Sequence, residues 1–206
     1  YSDSGAVGIN NFENIIGYAI NPDNDFSYNT RAILFNPTDP QNNIDLGSLP
    51  GYDAATPFSI NDSGQIVGRV NHPDMNIDSY IPRAVLFDPA DPQNNIDLGS
   101  IEGIAGSEAF DINNKGQIVG RAVAYGPGPG GVEALLFDPT GNGNNINLND
   151  LIDPSLGYDL NNALAINNNG WIACTASKDR LHHTVLLKPI PEPATILLFG
   201  VGGLLL

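Results

Sequence analysis

An all-β fold of repeated four-stranded units, each about 50 residues long and arranged like the blades of a β-propeller, is predicted by three observations. A segment running Phe58-Ser59-Ile60-Asn61 to Gly64-Gln65-Ile66-Val67-Gly68 returns at Phe110 to Gly120, with weaker copies at Val7 to Gly17 and Leu164 to Ile172. From Ile9 to Ile60, Ile112 and Ile166 the steps are 51, 52 and 54 residues. No window before the C-terminal tail shows sustained 3.6-residue apolar periodicity. The 23 glycines and 16 prolines accompany a charged fraction of only 15%, against about 25% in average globular chains. Turn formers stand where charged helix formers would otherwise be.

Each repeat reads as a succession of short strands. Ile-Asn-x-x-Gly-Gln-Ile-Val-Gly is an apolar residue, a polar turn and a β-branched pair, which predicts a hairpin with Gly64 or Gly116 at the left-handed turn position. The first copy carries Glu13 at that position, which predicts a different turn. The next element, Ala32-Ile33-Leu34-Phe35 before Asn36-Pro37, recurs as Ala84-Val85-Leu86-Phe87 and Ala134-Leu135-Leu136-Phe137, and decays to Thr184-Val185-Leu186-Leu187. A nearly continuous apolar run stopped by proline is the pattern of a buried strand. Asn43-Ile44-Asp45-Leu46-Gly47 and its copy at 95–99 alternate apolar and polar residues and read as a fourth strand with one solvated face. Ten residues, 39–48, reappear unchanged at 91–100, as after a recent duplication.

The repeats fall at approximately 5–53, 54–107, 108–160 and, partially, 161–189, forming one β-repeat domain over 1–189. A tail at 190–206 follows, expected to be a short apolar helix and, at 13 residues from Ala194 to Leu206, a truncated one. Three full units and a partial one fall short of the four to eight blades of a closed propeller, so an incomplete ring is expected. Insertions of variable composition at 21–30, 71–82 and 125–131 separate the second and third strands of successive repeats. Binding functions are usually built on such variable loops.

Eight Lys and Arg against 23 Asp and Glu give a formal net charge of −15. That surface repels nucleic acid phosphates and anionic lipid, so nucleic acid is not an expected partner, whereas cations and neutral glycans suit it. The single cysteine, Cys174, allows no intrachain disulfide. It stands where Gly68 and Gly120 stand in other repeats and reads as a small buried residue, with no base or orienting partner at a readable spacing.

No catalytic residue is assigned. His182 and His183 are adjacent, and neighbours on a strand point to opposite faces, so the pair does not converge on one ion. Asp88 and Asp138 align with Asn36, and Asp45 and Asp97 with Asn147. Acids that interchange with Asn once per repeat behave as turn and cap residues. The most oxygen-rich loops are Pro22-Asp23-Asn24-Asp25 and those holding Asp39, Asp45, Asp91 and Asp97. Calcium is the cation they would suit, with Asp23 and Asp25 as candidate ligands, although no complete loop pattern with a glycine hinge and a terminal Glu is present.

The repeat residues, from the Ile-Asn lead through Gly-Gln-Ile-Val-Gly to Ala-x-Leu-Phe and Asp-Leu-Gly, resemble the HAF-type extracellular repeats over residues 5–189. The Trp that ends the third element of that family is replaced here by Phe. The tail, Pro191-Glu192-Pro193 running into the apolar stretch Ile196 to Leu206, resembles the PEP-CTERM sorting signal. Both resemblances imply an exported bacterial protein. Exosortase and the inner membrane are the implied partners, with cleavage near Pro191 to Pro193 and release to the cell surface or extracellular matrix. A basic cluster usual after such a signal does not follow the apolar stretch. The expected role is structural or interactive, without catalysis. The alternatives are a glycan-binding module in exopolysaccharide or biofilm assembly, and a hydrolase that would need two carboxylates in one cleft.

Overall fold

A computed structural model describes residues 3–20, 30–72, 81–124, 131–190 and 197–198. The described chain is all-β, apart from four short 3-10 turns. The first sheet contains β1 (Asp3–Ile9), β2 (Ile15–Ile20), β3 (Thr30–Phe35) and β4 (Ile44–Asp45). The second contains β5 (Ala54–Ile60), β6 (Ile66–Asn71), β7 (Arg83–Phe87) and β8 (Ile96–Gly99). The third contains β9 (Gly106–Ile112), β10 (Ile118–Val123), β11 (Val132–Phe137) and β12 (Ile146–Asn147), and the fourth contains β13 (Asp159–Ile166), β14 (Ile172–Lys178) and β15 (Leu181–Leu187). In every sheet each strand pairs antiparallel with its sequence neighbour, giving four consecutive meanders.

Apolar side chains are buried between sheets. One core joins Ile16, Ala32 and Leu46 of the first repeat to Ala55, Ile66, Val70, Val85 and Phe87 of the second. A second joins Val67, Ala84 and Leu98 to Ala109, Ile112, Ile118 and Leu135. A third joins Val119, Ala134 and Leu148 to Leu160, Ala163, Ile172, Cys174 and Val185. Successive residues of one strand therefore enter different cores: Ile66 packs toward the first sheet and Val67 toward the third. This is why the strands read as continuous apolar runs, because both faces are covered. Close strand packing links the first sheet to the second, the second to the third and the third to the fourth.

The fourth repeat has no fourth strand among its described residues, and the structure gives the decay of its sequence a physical meaning. Leu46, Leu98 and Leu148 each follow or end a short outer strand and fill the core shared with the next sheet. Among the described residues only a short strand pair at 189–190 and 197–198 follows the fourth sheet. Exposed Thr184 accordingly replaces the fully buried Ala32, Ala84 and Ala134.

The tail differs from its expected helix where it is described. Leu197–Leu198 (β17) pairs antiparallel with Pro189–Ile190 (β16). Ile190 precedes Pro191, which disfavours helical backbone at Ile190, and an apolar run this short has little capacity to nucleate a helix. The other tail residues, including Pro191, Glu192 and Pro193, lie outside the described set, as do Asp23 and Asp25 and nearly all of the three insertions.

The first hairpin turn also departs from expectation. Glu13 adopts φ 63°, beside 79°, 75° and 79° at Gly64, Gly116 and Gly170. Its N–H donates to the Asn10 carbonyl at 3.2 Å, as that of Gly64 does to Asn61 at 3.0 Å. The turn is thus conserved and the glutamate is forced into left-handed backbone, because the bonds that hold the turn come from Asn10. That conformation costs a residue with a Cβ about 1–2 kcal/mol. Glu13→Gly is expected to stabilise the protein by about 1 kcal/mol, after the entropy glycine adds to the unfolded chain, read as a higher urea midpoint at unchanged m-value.

Candidate functional site

The residues that recur most faithfully form a ladder along the turn end of the stack. Asn10, Asn61, Asn113 and Asn167 open the four hairpins. In each, the side-chain oxygen accepts from the backbone N–H groups two and four residues on, at 2.9–3.0 Å. The amide nitrogen then crosses to the next sheet: Asn10 Nδ2 donates to the Asn61 carbonyl, Asn61 to that of Asn113 and Asn113 to that of Asn167, at 2.9–3.0 Å. A parallel rung runs one residue further along, from the Asn11 N–H to Asp62 Oδ1, from the Asp62 N–H to Asn114 Oδ1 and from the Asn114 N–H to Asn168 Oδ1. At the outer edge, Asn95 Nδ2 donates to the Leu46 and Ser48 carbonyls, and Asn145 Nδ2 to those of Leu98 and Ser100. One asparagine can fold a turn and dock the neighbouring sheet at once because its amide is both donor and acceptor.

The repeated acids are held by local backbone. Asp88 Oδ1 accepts from the Ala90 and Asp91 N–H groups, and Asp138 Oδ1 from Thr140 N–H and Oγ1–H. Asp45 and Asp97 accept from the N–H of Gly47 and Gly99. Asp39 and Asp91 cap 3-10 turns by accepting from Gln41 and Gln93. Among the described residues no three His, Cys, Asp or Glu side chains converge as metal ligands.

The Thr140 hydroxyl, then its N–H and Asn144, hold the Asp138 carboxyl down to about 2. The Asn11 N–H holds Asp62 below the usual carboxylate range, and the Ser155 N–H does the same for Asp153. A carboxylate whose folded-state pKa is depressed stabilises the fold fully above its unfolded value of about 3.9, and loses that contribution as pH falls through the folded value. The thermal midpoint is therefore expected to drop between about pH 4 and 2, and Asp138→Asn should make that drop shallower.

His182 and His183 sit opposite Ser177 and Ala176 in the fourth sheet. The His183 ring meets Tyr158 edge-on at 5.4 Å. It occupies the slot in which Arg31 pairs with Asp45 at 3.5 Å and Arg83 with Asp97 at 2.9 Å. Cys174 is 1% exposed, and burial pushes its thiol up to about 12. The native protein should resist thiol reagents near neutral pH and react only as the fourth sheet opens, so labelling should track urea unfolding. Rapid labelling of the native chain would contradict this burial.

Sequence reading missed a charged cluster. Glu108, on the innermost strand of the third sheet, is 1% exposed and receives Arg69 from the second sheet and Arg121 from its own. Arg121 Nε lies 2.6 Å from Glu108 Oε2, and its Nη1 donates to Asn162 Oδ1 of the fourth sheet at 3.2 Å. The two guanidinium groups cover the Phe58 and Phe110 rings at 5.7 and 5.5 Å. The legible signal was arginine after the same glycine in two repeats, Gly68-Arg69 and Gly120-Arg121. Elsewhere, a shallow groove of about 290 Å³ lies between the second hairpin turn and the outer loop of that sheet, lined by Gly64, Gln65, Leu86, Phe87, Asn94 and Ile96.

Residues 1–185 match the model of a family described as protein of unknown function (DUF3466), and the chain belongs to that family. Neither a curated protein nor a solved structure matches it.

Proposed function

We propose that this DUF3466 member is a non-catalytic, repeat-built protein of the bacterial cell surface or extracellular matrix, with a structural or interaction role. The observation that carries this reading is the use made of the recurring polar residues. The Asn ladder and the Asp caps are engaged in folding turns and in holding one sheet to the next, a role that belongs to a scaffold. The resemblance of residues 5–189 to HAF-type repeats supports export. The resemblance of Pro191-Glu192-Pro193 to a PEP-CTERM signal supports delivery through exosortase at the inner membrane. The acidic composition suits a surface that must stay soluble outside the cell.

Fractionation of cells expressing the natural gene tests the reading. The intact protein is expected at the cell surface or in the medium, cleaved near Pro191 to Pro193. Replacement of Pro191, Glu192 and Pro193 by alanine should leave it uncleaved at the inner membrane. Equal release of both forms would overturn the sorting step.

Glycan binding is the second reading, favoured by the groove beside Gln65 and Asn94. Its amide groups and the half-buried, apolar Leu86 and Ile96 suit a neutral sugar, which is bound through hydrogen bonds and apolar contact together. A glycan array with the purified protein tests it, and an array without a hit on any surface polysaccharide counts against it. Bound calcium at Asp23 and Asp25 is a separate expectation, read by a rise in thermal midpoint on adding calcium that Asp23→Asn with Asp25→Asn removes.

A further inference from the structure

The groove between the second hairpin turn and the outer loop of its sheet is lined by two side-chain amides, Gln65 on the turn and Asn94 on the loop. Hydrogen bonds fix which end of each amide is left to face a ligand. Gln65 Oε1 accepts from Asn61 Nδ2 at 2.8 Å, which leaves Gln65 Nε2 without an acceptor among the described residues. Asn94 Nδ2 donates to Asp91 Oδ2 at 2.8 Å, which leaves Asn94 Oδ1 without a donor among them. The turn therefore offers N–H groups and the loop a carbonyl oxygen. A hydroxyl both donates and accepts, so a polyhydroxylated ring seated between the two satisfies both, with half-buried Leu86 and Ile96 against its carbon atoms.

The third sheet carries the same set. Gln117, Leu136, Asn144 and Ile146 stand where Gln65, Leu86, Asn94 and Ile96 stand in the second. Gln117 Oε1 accepts from Asn113 Nδ2 at 2.8 Å, and Asn144 Nδ2 donates to Asp138 Oδ2 at 2.9 Å, so the same donor and the same acceptor are left over. The glutamines form a row from sheet to sheet. Gln65 Oε1 is 3.4 Å from the place a Cβ on Gly116 would take, and Gln117 Oε1 is 3.6 Å from that of Gly170. The other two repeats break the set. In the first, the shorter Asn14 replaces Gln65, and Asn10 Nδ2 donates to the Asn61 carbonyl instead. In the fourth, Trp171 replaces it, with the Lys188 ammonium 4.3 Å from the ring centroid.

Resting on the glycan reading of the groove, we infer that the second and third sheets together bind one extended, neutral polysaccharide laid across the stack, each sheet seating an equivalent sugar. Sheets packed face to face stand about 10 Å apart, close to the length of a disaccharide in a chain of the cellulose or mannan kind, where alternate rings present the same edge. Gln65 and Gln117 would donate to hydroxyls of those alternate rings, and Asn94 and Asn144 would accept from them. Asp88 and Asp91 stand at the second seat and Asp138 at the third, against one cation, Lys115 in the place of Ser63. A polymer of sugar acids is disfavoured by that balance of charge.

Calorimetry with cello- and manno-oligosaccharides of two, four and six rings tests this on the purified chain. Affinity for one of the series is expected to rise about tenfold or more from the disaccharide to the longer oligomers, because the second seat is then filled by the same molecule. Gln65→Glu and Gln117→Glu keep the oxygen that Asn61 and Asn113 need but put an acceptor where the donor stood. Each should hold the native thermal midpoint to within a few degrees and bring the longest oligomer down to the affinity of the disaccharide. Asn144→Ala, on the exposed outer loop, makes the same test without touching a turn. Equal affinity for all lengths, or native binding in Gln117→Glu and Asn144→Ala, would overturn the shared site and leave a single glycan-binding groove. Binding to neither series overturns it as well: a hit on the glycan array then leaves the glycan reading standing, and an array without one removes both.

Discussion

Glu108→Ala is expected to lower the stability of the protein by about 3 kcal/mol, measured as a shift of the urea midpoint. The carboxylate is 1% exposed and lies between two arginines. Arg69 reaches it from the second sheet, while Arg121 binds it and Asn162 of the fourth sheet together. Removing the acid takes from both guanidinium groups the carboxylate that they share, and breaking a buried pair in this way costs about 3–5 kcal/mol. The lower end applies here because the arginine side chains are 26% and 28% exposed and retain some water. Glu108→Gln keeps the shape and an acceptor oxygen but loses the charge, and should cost about half as much. A loss below about 1 kcal/mol for the alanine variant would mean that both arginines simply turn outward, and that the cluster does not hold the three sheets together.

Gly120→Ala should be comparably damaging for a steric reason. The innermost strand of each of the first three sheets bulges opposite this glycine. The bulge brings a carbonyl so near that a Cβ at Gly120 would lie 1.9 Å from the Glu108 oxygen, as it would lie 2.1 Å from the Thr56 oxygen at Gly68. Backbone on both sides would have to move, so a loss of about 3 kcal/mol or more is expected. Gly64→Ala is the informative comparison. Nothing lies within 4 Å of a Cβ there, and only the left-handed φ of 79° is strained, which costs about 1 kcal/mol. The fourth sheet shows how the effect could be evaded. Its innermost strand bulges at the same place, between Ala163 and Ala165, but has a second register shift between Leu160 and Asn162, and Cys174 fits where glycine stands elsewhere. If Gly120→Ala costs no more than Gly64→Ala, the third sheet relaxes into that register.

The distribution of legible and hidden features follows from the range of the interactions. Hairpins, buried strands and caps were readable because each is decided by a few adjacent residues: a glycine at a left-handed position, β-branched pairs before a proline, an Asp two residues ahead of the N–H it accepts. Glu13 was misread because the local rule looks to the turn residue, whereas Asn10 dictates the turn from three residues away. The ladder left a trace in the sequence, an asparagine after the same isoleucine in all four copies. Periodicity reports where a residue recurs, however, and not which neighbour its amide reaches. Glu108 left less trace, since its counterpart in the second repeat is Thr56 and in the fourth Asn162.

That this protein is all-β, how long its repeating unit is, and which residues turn the chain can all be read from residue order, because those are matters of local sterics and hydrophobic period. It took the folded protein to show that its polar residues are spent between sheets, that a glutamate joins three of them, and that Thr184 of the fourth repeat is exposed where Ala32, Ala84 and Ala134 are buried. Those properties depend on surfaces meeting across about 50 residues of chain, a distance at which sequence spacing says nothing of direction.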